Sequence, residues 1–278
     1  MPELPEAETI ARGLDGQVRG RRLLAARCLR KGICERKVRY PVGARVASVR
    51  RRAKKVLIHF DDGTTLLVSL GMSGQVRPRP AGPLPKHTHL LLTFEGAEFV
   101  YVDPRRLGRL APPREATTML APAEEVARWC EERLGPDAVD VGWPAFREAL
   151  ARRRGALKPL LLNQRVVAGI GNIYADEILH RAGIHPRARP ADLPEAALRR
   201  LHRATRTVLR RAIRANGTTF RDYVTPTGAR GDFGKLLAVY GREGERCRRC
   251  GAAVERLRWP PGRSTWYCPG CQPEPEEI

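Results

Sequence analysis

Apolar residues Ile10, Leu14 and Val18 recur at helical spacing behind a polar start in which Pro5, Glu6 and Glu8 occupy the first turns, so the chain is expected to open with an amphipathic helix. From about residue 22 to residue 101 the period shortens. RRLLAARCLR, ARVASVRRRAKKVLIHF, TTLLVSLGM, THLLLTF and AEFVYV read as short strands, separated by turn signals such as Asp61-Asp62-Gly63 and Glu95-Gly96. That number of strands predicts an antiparallel sandwich or barrel, with PRPAGPLPKH as a proline-rich surface loop. From Ala123 the pattern turns helical, through AEEVARWCEERL and PAFREALARR to the long ADLPEAALRRLHRATRTVLRRAIRANG, which stops on Asn-Gly.

Strands followed by helices predict an α+β multidomain chain. The expected divisions are a β-sandwich domain over 1–131, a linker over 132–138, a helical domain over 139–235, a small cysteine-bearing module over 236–272 and an acidic, disordered tail over 273–278. With 278 residues and 42% hydrophobic content, such domains can each bury a core. No run of 18 apolar residues is present, so neither a membrane span nor export is indicated, and the expected compartment is cytoplasmic.

Charge narrows the partner. Against 30 Asp and Glu stand 51 Lys and Arg, a formal net charge of +21. Such a field collects polyanions and speeds their association, which makes nucleic acid the leading partner. The competing explanation is an arginine-rich composition that merely solvates helices.

The last module carries two C-x-x-C pairs, Cys247/Cys250 and Cys268/Cys271. Paired thiolates at this spacing close a tetrahedron around one structural Zn2+, and the gap between the pairs is that of a zinc ribbon. Two disulfides are the alternative, but they are rare in a reducing compartment, and Cys28, Cys34 and Cys130 show no pairing pattern. Arg256, Arg258 and Arg263 lie between the pairs, where a stiffened hairpin would present them to phosphates.

Several motifs in order give the chain its likeness to a known family: MPELPE at the start, RRAK at 51–54, LGMSG at 70–74, DPRR at 103–106, GIGNIYADE at 169–177, AGIHP at 182–186 and the terminal ribbon. The chain closely resembles the bacterial formamidopyrimidine-DNA glycosylases over nearly its whole length. The resemblance implies a helix-two-turn-helix domain in the helical half and a bifunctional glycosylase and abasic-site lyase acting on oxidised purines in damaged double-stranded DNA, as a monomer. It also implies that Pro2, exposed as a free secondary amine once Met1 is removed, is the Schiff-base nucleophile. Glu3 matches the proton donor, with Glu6 supporting the turn; Lys54 and Arg263 match phosphate contacts and the proton donors of β- and δ-elimination.

His87, Arg105, Lys158 and Asn172 match DNA-binding positions. Met72, Arg105 and Leu107 match the residues that fill the gap left by an everted base, although phenylalanine is usual where Leu107 stands. Taken alone, several of these residues have plainer readings: Lys54 as a charged turn residue, Met72 and Leu107 as core, Gly169 and Gly171 as the start of a weak dinucleotide fingerprint that Tyr174 interrupts. Two histidines in KHTH lack a third ligand for a metal. The rival functions are an endonuclease VIII-like enzyme for oxidised pyrimidines, a damage-binding protein without catalysis, and a generic zinc-ribbon DNA-binding protein.

Overall fold

The computed structural model describes residues 2–29, 39–105, 118–151, 153–219, 231–259 and 262–275; Met1 and Leu107 lie outside them. Two compact units result, one of residues 1–132 with 215–234, the other of 133–214 with 235–278. Residues 215–234, which follow the long helix and on sequence pattern belong to the helical domain, group with the strand-rich unit instead.

The first unit begins with α1 (Leu4–Val18) and continues through β1 (Leu23–Cys28), β2 (Val46–Arg52), β3 (Lys55–Phe60), β4 (Thr64–Ser69), β5 (Gln75–Pro78), β6 (Thr88–Phe94), β7 (Ala97–Val102), β8 (Thr118–Pro122) and α2 (Ala123–Arg133). The strands form two antiparallel four-stranded sheets, ordered β1-β6-β7-β5 and β2-β3-β4-β8, as expected of a sandwich. Strands β5 and β8 have no strong sequence signal. The former is four residues ending at Pro78 and the latter ends at Pro122, positions where proline suits an edge.

Alternation explains which face is buried. Val56, Ile58 and Phe60 on β3 point inward while the residues between them are half-exposed. With Leu66 and Val68 of the same sheet they meet Leu90, Leu92, Phe94, Phe99 and Tyr101 of the other. The stripe of Ile10, Leu14 and Val18 on α1 joins this cluster, so the N-terminal helix is part of the core. A hydrogen bond also ties it to the sheet: Val49 N–H donates to Asp15 Oδ1 at 2.6 Å.

The second unit contains α3 (Trp143–Ala151), α4 (Leu157–Leu162), α5 (Asn172–Ala182) and α6 (Glu195–Arg214), then β9 (Glu255–Leu257) and β10 (Thr265–Tyr267), which pair as an antiparallel hairpin. Helix α5 ends on Gly183 at φ 67°, and α6 is followed by Asn216 and Gly217, both in the left-handed region. Among the described residues no helix is long and apolar enough to cross a membrane.

Candidate active site and nucleic-acid interface

Chain ends usually fray, yet residues 2–7 are buried. The reason is Glu6. One of its carboxylate oxygens accepts the Glu3 N–H at 2.8 Å, satisfying a donor that the start of α1 would otherwise leave open, and the other accepts the Thr218 N–H at 2.7 Å. Gly217, at φ 75°, makes the second bond possible, since a Cβ there would lie 2.6 Å from Glu6 Oε1. Pro2 and Glu3 are thereby held in one conformation, with Glu3 almost fully buried at the N-cap.

Lys54 sits in the two-residue turn joining β2 to β3, where Arg52 pairs with Lys55. Its neighbour Ala53 adopts φ 52°, backbone that glycine normally supplies. Arg51 supports this turn: it donates to the Ala53 carbonyl at 3.2 Å and to Glu8 of α1 at 2.7 Å. Burial alone would raise the Glu8 carboxyl, but Arg51 and Arg12 outweigh it and hold Glu8 below the ordinary value. The Lys54 turn is thus anchored to the second turn of the helix that begins beside Pro2 and Glu3.

Three loops of the same unit meet at the fully buried Asp103. Its N–H donates to the His87 carbonyl at 3.1 Å, its own carbonyl accepts from His89 Nε2 at 3.0 Å, and its carboxylate accepts from the Ser73 hydroxyl. Ser73 Oγ in turn accepts the Arg105 N–H at 3.2 Å. Met72, 45% exposed, and Arg105 therefore stand on loops locked through one carboxylate. Gly74 lets the first of these loops close, because a Cβ would fall 2.3 Å from the Leu70 carbonyl oxygen. His87 occupies φ 67°, so every non-glycine residue with positive φ among the described residues, namely Ala53, His87 and Asn216, lies on or next to an element that shapes this site. In the sequence Asp103 and Ser73 stand only as parts of longer motifs. Their role has no local signature, because their partners come from other loops.

In the second unit Lys158 is fully buried. Its Nζ lies 2.7 Å from Asp176 Oδ1 and donates to the Ser264 carbonyl at 3.0 Å and to Thr265 Oγ1 at 2.8 Å. Lys158, expected among the DNA-binding residues, is closed off from solvent here and joins α4 to α5 and to the segment leading into β10. Asn172, the first residue of α5, donates to the same Ser264 carbonyl at 3.1 Å, and the exposed Arg263 is the next residue back. Lys158 and Asn172 therefore converge on one carbonyl, that of the residue after Arg263. Asp176 also accepts the Trp266 N–H at 3.0 Å, and burial pushes its carboxyl up to about 7 against the pull of Lys158.

The four ribbon cysteines place their Sγ atoms within 4.8 Å of one another. Cys247 and Cys271 sulfurs are 3.9 Å apart and those of Cys250 and Cys268 3.3 Å; a tetrahedron with metal–sulfur bonds of about 2.3 Å has edges of about 3.8 Å. The donor set therefore fits a metal ion. Arg249 N–H points at Cys247 Sγ from 3.4 Å, and Gly270 leaves room, since a Cβ there would sit 3.1 Å from Cys250 Sγ. His180 Nε2 lies 3.4 Å from Cys247 Sγ; burial, with Arg249 and Arg242 nearby, pushes this imidazole down to about 4, so it is neutral at pH 7.

Two substitutions test these supports. Gly217→Ala is expected to lower stability by more than about 1 kcal/mol, from the positive φ and the clash with Glu6, read by urea unfolding. Asp176→Ala leaves Lys158 buried without its counter-charge and should cost about 3–5 kcal/mol, whereas Asp176→Ala combined with Lys158→Met should recover much of the loss. Equal stability of the single and double variants would contradict the pairing.

Comparison with known proteins adds a consistent result. Residues 1–110 match the model of the formamidopyrimidine-DNA glycosylase N-terminal domain, and residues 134–224 that of the formamidopyrimidine-DNA glycosylase H2TH domain. A formamidopyrimidine-DNA glycosylase from Methylococcus capsulatus is 42% identical over 98% of this chain and all of its own. Among solved structures, MutM (Fpg) from Thermus thermophilus superposes with a TM-score of 0.87 at 38% identity, over 99% of this chain and all of that one. A Lactococcus lactis Fpg variant in complex with Fapy-dG-containing DNA gives 0.88 at 31%, over 98% and 100%. With both domain models matched in order and full-length relatives on either side of 40% identity, the chain belongs to the formamidopyrimidine-DNA glycosylase family.

Proposed function

We propose that this protein is a bifunctional DNA glycosylase and abasic-site lyase of base excision repair, which removes oxidised purines from duplex DNA with Pro2 as nucleophile. The observation that carries the reading is the N-terminal turn: Pro2 and Glu3 are buried side by side, and Glu6 ties their turn to Thr218, which supports an amine and a carboxyl held ready together. Solved relatives in complex with Fapy-dG DNA and with carbocyclic 8-oxo-G DNA support the lesion class.

With Met1 removed, the Pro2 nitrogen is a secondary amine, and its unprotonated form is the nucleophile. Its lone pair forms a bond to the sugar C1′ as the bond to the base breaks, and the base departs with that electron pair and gains a proton. Glu3 is placed to shuttle the protons that open the sugar ring and yield the iminium. The iminium acidifies the C2′ proton; its removal expels the 3′ phosphate, and a second elimination expels the 5′ phosphate, leaving a one-nucleotide gap. Lys54 and Arg263 neutralise those phosphates and supply protons to the two eliminations.

The base must first leave the stack, at a cost of a few kcal/mol. Met72 and Arg105, on the loops that Asp103 joins, are the described residues we assign to filling the vacated space, with Leu107 as the third. Zinc is the metal we assign to the cysteine cluster: four thiolates leave no open coordination position, so its contribution when bound is to stiffen the hairpin that carries Arg263. The parts of the chain that do the chemistry are its own amine, carboxylate and cations.

Borohydride trapping of untagged protein on an 8-oxoguanine·cytosine duplex should leave DNA reduced onto Pro2, identified by mass spectrometry of the first peptide. Pro2→Gly should lose base excision by several orders of magnitude and keep DNA binding; an unchanged rate rejects the nucleophile, and trapping only on thymine glycol favours the endonuclease VIII-like reading. Cys247→Ser is expected to release one zinc per chain and weaken DNA binding, with metal analysis as the check.

A further inference from the structure

Helix α6 carries seven arginines, Arg199, Arg200, Arg203, Arg206, Arg210, Arg211 and Arg214, and one acid, Glu195. At 100° per residue all seven fall on the arc opposite the buried face formed by Ala197, Leu201, Ala204, Val208, Leu209 and Ala212. Arg199, Arg203, Arg206, Arg210 and Arg214 follow one another at three- or four-residue intervals, a row about 22 Å long. Like charges at those spacings repel and weaken a helix. The arrangement therefore opposes the helix that bears it.

Local structure accounts for only some of these residues. Arg199 pairs with Glu195 at 2.6 Å and stacks over Trp143 at 4.5 Å, and Arg211 and Arg214 complement the negative end of the helix dipole. Arg200 and Arg203 lie in the first half, where the dipole gives them nothing. Among the described residues, Arg200, Arg203, Arg206 and Arg210 make no ion pair with a carboxylate, and Arg200, Arg203 and Arg210 are exposed. A chain that merely needed a soluble helix would intersperse acids.

We infer that the arginine face of α6 is a phosphate-binding surface for undamaged duplex DNA, which raises the protein's sequence-independent affinity beyond the contacts made around a lesion. A row of guanidinium groups matches the closely spaced charges of a duplex backbone and carries no information about bases or damage. The exposed arc lacks the large apolar residues that would insert into a lipid surface, which sets an anionic membrane aside as occupant. The inference rests on the assignment of DNA as substrate, and its test separates the two.

Full-length, zinc-loaded protein carrying Arg200→Gln, Arg203→Gln and Arg210→Gln would be titrated with a long undamaged duplex across a range of salt. The slope of log affinity against log salt should shrink by about 2 to 3, and by about 0.9 for each single substitution. Single-turnover excision on a lesion duplex of little more than one helical turn should stay unchanged, and the melting temperature should hold or rise as repulsion is relieved. Unchanged slopes in the single variants overturn the inference. So does a parallel loss of excision on the short duplex, which would place the face among the lesion contacts, or a loss confined to phosphatidylserine vesicles. If wild-type protein fails to excise any lesion, the proposed function fails, while the salt slope still reports on this surface.

Discussion

Four polar side chains on one helix, α5, three of them buried, organise the second unit. Asn172, Asp176, Glu177 and His180 each reach a partner in the C-terminal segment: Ser264, Trp266, the backbone of Ala238, Val239 and Tyr240, and Cys247. Glu177 alone accepts three successive backbone N–H groups at 2.8 to 3.0 Å. A carboxylate or amide taken from water without partners would cost several kcal/mol, so this helix folds stably only against that segment. The ribbon is accordingly an integral part of the unit, and Arg263 inherits a fixed position from it.

The strand-rich unit solves a similar problem with fewer groups. Glu6 spans a gap of 212 residues to reach Thr218, and Asp103 ties three loops together. In both cases a buried acid accepts hydrogen bonds from groups that belong to separate segments, and the residues assigned to chemistry or DNA contact stand next to it on short leashes. Left-handed backbone at Ala53, His87 and Asn216 is tolerated because these anchors over-determine the loops. Preorganisation of this kind suits the proposed reaction, which needs its reacting groups held in place before the substrate arrives.

Charge is arranged at two scales. In the interior Lys158 is paired with Asp176, and the buried acids Glu6, Asp103 and Glu177 are met by hydrogen-bond donors, since a charge left without partners there is costly. On the surface the balance is abandoned, most visibly along α6, and the excess is left facing solvent. The distinction explains why a net charge of +21 coexists with a well-satisfied interior.

Much is legible in the sequence because it depends on short-range periodicity. The α1 stripe, the alternation along β3, the Asn-Gly stop after α6 and the two C-x-x-C pairs all act within a few residues, so each can be read where it stands. Motif order then points to the family and to Pro2, Glu3, Lys54 and Arg263. Tertiary structure alone decided what depends on closure. Strands β5 and β8 exist because β7 and β4 offer them edges, and residues 215–234 join the strand-rich unit. Lys158 becomes a buried support because Ser264 and Thr265, more than a hundred residues away, close over it. Pattern reports what a side chain prefers; its partner is set by which distant segment the folded chain brings within hydrogen-bond reach.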